Sequence, residues 1–178
     1  MKTRFNKSLT RRAIAQGFTL IELLVVIAII GILAAIVLVS LGNARQKGAD
    51  AGIQGNLDAI RTQSELYAID NGNVYDVPAG TTATAAAGAS CGTTGMWSNT
   101  TISEATKGAS SGASAVTLNG TASRSVLCKS SSSAWFVAVP LKSDATQAWC
   151  VDSTGKAKNV AVTSLDTALD VTALTACP

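Results

Sequence analysis

The 178-residue chain contains no histidine. Histidine is the usual general base and the commonest metal ligand, so its absence excludes Ser-His-Asp triads and histidine-containing zinc sites. Charged residues are also scarce, at 14% against a typical share of about 25%. No nucleophile stands beside a plausible base, and the chain does not read as an enzyme. Proline is nearly missing from the first half: the first one is Pro78, so nothing before it forbids a long helix. The four cysteines, Cys91, Cys128, Cys150 and Cys177, lack the C-x-x-C spacing of a zinc site or redox dithiol. They read as two disulfides, which implies an oxidising compartment. No cofactor or metal is expected. The length suits one ordinary domain.

What the chain does have is a concentrated apolar block. From Leu23 to Val39, seventeen consecutive positions are interrupted only by Gly31. With its flanks, the stretch 18–41 is long enough to cross a hydrocarbon layer about 30 Å thick as a helix. Lys2, Arg4, Lys7, Arg11 and Arg12 precede it, whereas only Arg45, Lys47 and Arg61 follow closely. That asymmetry keeps the N-terminus cytoplasmic and exports the rest, in agreement with the cysteines. The formal net charge of +3 belongs to residues 1–17; without them nine basic and eleven acidic side chains remain, a net of −2. Nucleic-acid binding therefore gains no support from charge. Three readings fit the block: a secretory signal peptide, a plain anchor, and a segment cut on its cytoplasmic side. Ser40-Leu41-Gly42 imitates a signal-peptidase site, but signal peptides have shorter apolar regions of roughly 7 to 15 residues.

Glu22 stands out on physical grounds, because a carboxylate at the start of a membrane-spanning helix is costly unless paired or wetted. A helix N-terminus attracts it. Around it, Gly17-Phe18-Thr19-Leu20-Ile21-Glu22 lies directly after the basic leader and directly before the apolar run. This segment closely resembles the prepilin processing site of type IV pilins and of the pseudopilins of type II secretion, from Gln16 through about Leu33. The resemblance implies cleavage after Gly17, N-methylation of the new terminal residue Phe18, and pairing of Glu22 with the terminal amine of a neighbouring subunit. It further implies self-association into a filament, with a prepilin peptidase, a platform membrane protein and a cytoplasmic assembly ATPase as partners. The bacterial inner membrane would hold the subunit before a surface filament or pseudopilus does. One departure is visible: many pilins carry a proline eight positions beyond the glycine matching Gly31, and here that position is Val39.

Beyond the anchor, Ile53, Leu57, Ile60, Ser64 and Tyr67 recur at helical spacing, with Asp50, Asp58, Arg61, Glu65 and Asp70 mostly off that stripe. Asn71-Gly72 supplies a stop. Gly42, Gly48, Gly52 and Gly55 soften the junction between the two halves. The chain thus divides into a leader (1–17), a transmembrane or filament-core helix (18–41), the amphipathic half of the same helix (42–72) and an exported β-rich head (73–178). Residues 79–95, almost entirely Ala, Gly, Thr and Ser, read as an exposed loop held at Cys91, and Ser130–Ser133 read the same way. Residues 125–128, 134–139, 148–151 and 159–162 read as strands, with a turn at Asp152-Ser153-Thr154-Gly155. Trp135, Phe136 and Trp149 read as core or sheet-pair residues. The fold class is α+β: a long N-terminal helix packed on a small antiparallel sheet, as in a pilin head. Of three possible connectivities, the expected one joins Cys91 to Cys128 and Cys150 to Cys177.

The leading functional expectation is a structural subunit of a type IV pilus-like filament. A close rival is the major pseudopilin of a type II secretion system. That family often binds calcium, yet Asp144, Asp152, Asp166 and Asp170 lack EF-hand spacing. A minor DNA-binding pilin is the third reading; residues 72–178 balance six basic against six acidic side chains, and only Lys156 with Lys158 forms a local patch. Asn99-Thr100-Thr101 and Asn119-Gly120-Thr121 match the short glycosylation pattern.

Overall fold

The computed structural model describes residues 17–75, 82–85, 91–92, 94–117, 123–163 and 176–178. The leader before Gly17, the Asn119-Gly120-Thr121 pattern, Asp166 and Asp170 lie outside these residues. The chain divides into two compact units, residues 1–40 and 41–178.

In the first unit, helix α1 (Leu20–Asp70) begins two residues later than the expected Phe18. Every residue from Leu20 to Ser40 is exposed. Ile27, Ile30, Leu33 and Leu38 therefore have no cover within the unit. The helix is long and apolar enough to cross a membrane.

In the second unit, α1 continues unbroken through Gly42, Gly48, Gly52 and Gly55 to Asp70. Its buried stripe is Asp50, Ile53, Leu57, Ile60, Ser64 and Ala68, the three-and-four spacing of a single face. Asp50 corrects the sequence reading, which put it off the stripe. Its Oδ1 accepts from the Lys142 N–H at 2.6 Å, and both its oxygens accept from the Ser143 N–H at 3.3 Å. The charge is thereby spent on a distant backbone. The helix stops as expected: Gly72 and Asn73 take positive φ, and the Asn73 N–H donates to the Ala68 carbonyl at 2.7 Å. That six-to-one bond is the mark of a glycine-terminated helix end.

Strands β1 (Thr82–Ala85), β4 (Val126–Ser130), β5 (Trp135–Pro140), β6 (Gln147–Asp152) and β7 (Ala157–Ala161) form an antiparallel sheet in the order β1-β4-β5-β6-β7. The last four make the expected meander, each within two residues of its predicted bounds. β2 (Val116–Thr117) and β3 (Ser123–Arg124) pair separately. Because successive side chains point to opposite faces, the sheet has two cores. Cys128, Trp135, Val137, Val139 and Val151 face Ile53, Leu57 and Ile60. Leu127, Phe136, Ala138, Ala148, Cys150 and Val160 form the other, with Cys177. The Cys91–Cys128 disulfide sits in the first core and Cys150–Cys177 in the second, as paired in the sequence reading.

The expectation of one exposed loop over 79–95 is corrected where the residues are described. Thr82–Ala85 pair with β4, Thr82 opposite Lys129 and Ala85 opposite Val126, and Cys91 is buried. Backbone hydrogen bonds need no large side chains, which is why small residues suffice there. A 3₁₀ turn (Gly95–Ser98) then buries Met96 and Trp97. The serine run is also corrected at its start: Ser130 ends β4 fully buried, and its hydroxyl accepts from the Trp97 indole N–H at 2.8 Å. The sequence reading missed helix α2 (Thr100–Gly112). Asn99 caps it, its side-chain oxygen accepting from the N–H groups of Thr101 and Ile102. Ile102, Thr106, Ala109 and Ser110 are its buried face. Its close approach to α1 rests on small residues: a Cβ added at Gly108 would come within 3.1 Å of the Asn56 side chain.

Two polar clusters fasten this unit. The Tyr75 hydroxyl donates to both Glu65 oxygens, at 2.9 and 3.0 Å. Burial, then that bond and the nearby negative charge, push the phenol up to about 12. At the end of β6, Asp152 Oδ1 accepts from the Thr154 hydroxyl and from the N–H groups of Thr154 and Lys156; Oδ2 accepts from the Cys177 N–H at 2.9 Å. Burial pushes the Asp152 carboxyl up, but these donors together outweigh it and hold it below the ordinary carboxylate value.

A carboxyl that titrates lower in the folded chain than in the unfolded one contributes stability in full above its unfolded value. That contribution is lost as pH falls through about 4 and on toward the folded value. Asp152→Asn should therefore melt lower at pH 7, with a loss of about 1 to 3 kcal/mol. It should also show a shallower fall in melting temperature between about pH 5 and 2 than the parent. Parallel melting curves across that range, in detergent, check both; equal slopes would mean that Asp152 is not held low.

Candidate functional site

The residues singled out by sequence meet at the start of α1. Gly17, Phe18 and Thr19 precede the helix, and Phe18 is 88% exposed. The bond after Gly17 thus lies in exposed, non-helical backbone. Thr19 and Glu22 then form a reciprocal cap. The Glu22 N–H donates to the Thr19 hydroxyl oxygen at 3.3 Å, and Glu22 Oε2 accepts from the Thr19 N–H at 2.9 Å and the Thr19 hydroxyl at 2.8 Å. This is the capping box of a T-x-x-E sequence. Its sequence signal is the T-x-x-E spacing of Thr19-Leu20-Ile21-Glu22, which the reading of Glu22 by itself does not contain.

The electrostatics follow from that geometry. Glu22 is the only charged side chain between Phe18 and Ala44, and it sits where the first turn of a helix favours negative charge. Among the described residues, both hydrogen bonds to its carboxylate end on Oε2. Beside it, Phe18, Ile21, Glu22, Val25 and Val26 line an open groove of about 410 Å³. Among the described residues that line it, the Glu22 carboxylate is the one charged group and the rest are apolar.

Elsewhere, Arg61, Thr62 and Glu65 of α1 face the turn 152–155 across a depression of about 420 Å³. Arg61 bridges it by donating to the Gly155 carbonyl at 3.3 Å. Asp152, in its wall, is taken up by N–H and O–H donors rather than poised for a cation. The four cysteines lie in the two cores as disulfides, with Cα separations of 5.8 and 5.9 Å, and are structural.

Comparison with known proteins bears on the same stretch. Residues 12–38 match the family model of the prokaryotic N-terminal methylation motif. The chain is 53% identical over 58 residues to the type IV wide pilus major component PilA4 of Thermus thermophilus, covering 32% of this chain and 44% of that protein. It is 36% identical over 61 residues to the type II secretion system core protein G of Klebsiella michiganensis, covering 34% and 43%. Against core protein G of Dickeya chrysanthemi it is 36% identical over 56 residues, covering 32% and 37%. The chain spans less than half the length of each relative it matches. No solved structure matches it. Over residues 12–38, then, the chain carries the segment of the type IV pilin and type II secretion pseudopilin family, joined to an α+β unit of one long helix and an antiparallel sheet.

Replacing Thr19 by Ala should remove the cap and cost the first turn about 1 kcal/mol, whereas Ser should retain it. Amide hydrogen exchange of the full chain in micelles should show faster exchange at Leu20–Leu23 in the Ala variant. Unchanged exchange would mean that the cap carries no weight.

Proposed function

We propose that this chain is a structural subunit of a type IV pilus-like filament. It is inserted in the inner membrane with residues 1–17 on the cytoplasmic side and its cysteine-bonded head outside. A prepilin peptidase cuts after Gly17 and methylates the new amine of Phe18. The subunit then leaves the membrane and polymerises through its apolar helix, driven by a platform protein and a cytoplasmic ATPase. The observation that carries the reading is the methylation motif at 12–38, set on a helix whose apolar side chains are exposed from Leu20 onward. Large apolar side chains stay uncovered only where lipid or other protein covers them.

In this mechanism Glu22 selects the register. Cleavage places a cationic amine on Phe18, next to the residue that caps the helix. An incoming subunit presents that amine to Oε1 of a neighbour's Glu22, which gains a charged donor while Oε2 keeps Thr19. An unpaired carboxylate in an apolar bundle is costly, so only the stagger that pairs it is favoured.

The similarity to core protein G favours one second reading, the pseudopilin of a type II secretion system. The chemistry of processing and assembly is common to both. What differs is whether the filament extends from the cell.

Mass spectrometry of sheared surface filaments should find this chain beginning at methylated Phe18. Glu22→Ala should still be cut, since the scissile bond lies outside the cap, but should yield at least tenfold less filament. A mature terminus elsewhere, or wild-type filament yield from Glu22→Ala, would overturn the assignment. Filaments seen only when secretion genes are overexpressed would favour the pseudopilus.

A further inference from the structure

Cys150 and Asp152 lie two residues apart on β6, so their side chains stand on the same side of the sheet. That side is the second core, where Cys150 meets Cys177. Asp152 and Cys150 are fully buried, and Cys177 is 4% exposed. Among the described residues, the donors to the Asp152 carboxylate have two origins. Three come from its own turn and end on Oδ1: the Thr154 hydroxyl at 2.7 Å, the Thr154 N–H at 2.9 Å and the Lys156 N–H at 3.1 Å. The Cys177 N–H comes from 25 residues away and ends on Oδ2 at 2.9 Å.

This division implies an order of events. The turn donors are local, so they fix the carboxylate once β6 and β7 pair, whether or not the C-terminus has arrived. The acceptor for the tail is then preformed, and little further freedom is lost when the tail docks. Without such a landing point Cys177 must find Cys150 across 27 residues of chain. A flexible linker of that kind brings its ends together at an effective concentration of only about millimolar. A hydrogen bond to a charged acceptor favours the docked tail by roughly tenfold to a hundredfold. The other disulfide gains nothing from it, because Cys91 and Cys128 belong to the core on the opposite side of the sheet.

We infer that Asp152 is a positioning residue for the Cys150–Cys177 disulfide: it docks the Cys177 amide so that the thiol stands beside Cys150 before the bond forms, and it holds the tail against reduction afterwards. The chemistry is thiol–disulfide exchange with a disulfide oxidant, of the class that an oxidising compartment supplies. The Cys177 thiolate attacks one sulfur of the oxidant and expels the first thiolate, which leaves a mixed disulfide. The Cys150 thiolate then attacks Cys177 Sγ and expels the second. The two cysteines together lose two protons and two electrons, and the oxidant departs as two thiols. Asp152 takes no part in the exchange. It acts on the second step, because only a docked tail brings Cys177 Sγ to Cys150. Reduction runs the same path backwards, and a reductant reaches the buried bond only when the tail lifts. None of this depends on whether the chain forms filaments.

The test uses the full chain in detergent, reduced and then exposed to oxidised glutathione, with alkylation at timed intervals and peptide mapping of each cysteine. Asp152→Asn should slow closure of Cys150–Cys177 by roughly tenfold and let the mixed disulfide of Cys177 with glutathione accumulate, while Cys91–Cys128 closes at the parent rate. In the oxidised chain, dithiothreitol should open Cys150–Cys177 faster in this variant by a similar factor. Thr154→Val, which removes only the hydroxyl donor of the turn, should give the same pattern with a smaller slowing. Equal closure rates in the parent and Asp152→Asn would overturn the inference. So would equal slowing of both disulfides, which would assign Asp152 to the folding of the whole unit.

Discussion

The contact on which the second unit depends is the burial of Ile53, Leu57 and Ile60 against the helix-facing side of the sheet. All three are at most 1% exposed. Each such side chain contributes about 1.5 to 3 kcal/mol when fully removed from water. Apolar burial alone would let the helix slide along the sheet, since it has no direction. Polar groups at either end of the stripe set its position. Asp50 accepts the backbone N–H groups of Lys142 and Ser143 at one end, and Glu65 holds the Tyr75 hydroxyl at the other. A slip of one turn would leave the buried Asp50 carboxylate without partners, at about 1 to 3 kcal/mol, and would break the exposed Glu65–Tyr75 bond.

A sheet buried on both faces needs two covers, and this chain has few large side chains with which to build them. Only 4% of its residues are aromatic. Trp97 and Trp135 are spent on the helix-facing core and Phe136 on the other. The two disulfides make up part of the difference by placing one cross-link in each core. Each is worth typically about 2 to 4 kcal/mol through the freedom it removes from the unfolded chain. Asp152 adds a second tie to the same end: it sits two residues from Cys150 and accepts the Cys177 N–H, so the C-terminus is held by a covalent bond and a charged hydrogen bond together. The sparse aromatic composition is thus a structural problem, and cross-linking is how the fold meets it.

Legibility in the sequence followed the strength of the local signal. The helix stop at Asn71-Gly72, the four meander strands and the cysteine pairing could be read because each rests on a spacing or on a residue type with few roles. Asp50 was misplaced by its charge, although it lies three residues before Ile53 and so belongs to the buried face. Helix α2 was hidden by its Thr, Ser, Gly and Ala content, yet Asn99 as cap and Ile102, Thr106, Ala109 and Ala113 at helical spacing do specify it. Strand β1 is different in kind. Thr82–Ala85 alternate only Thr and Ala, and its register comes from the backbone of β4, so no local pattern distinguishes it from a loop. At the site, the motif itself was legible; the cap between Thr19 and Glu22 required seeing the two residues as one unit.

That cap bears on how a charged residue survives in an apolar stretch at all. From Phe18 to Ala44 nothing else in the sequence carries a charge that could neutralise Glu22. A carboxylate left bare at such a position would be driven to take up a proton or to pull the helix toward water. Thr19 offers it a hydroxyl and a backbone N–H from three residues away, so the charge carries its own partners wherever the helix goes. Among the described residues, the arrangement engages one oxygen, Oε2. In the filament proposed above, a carboxylate so held need not be created on arrival, and it would favour the register in which a cationic group reaches it.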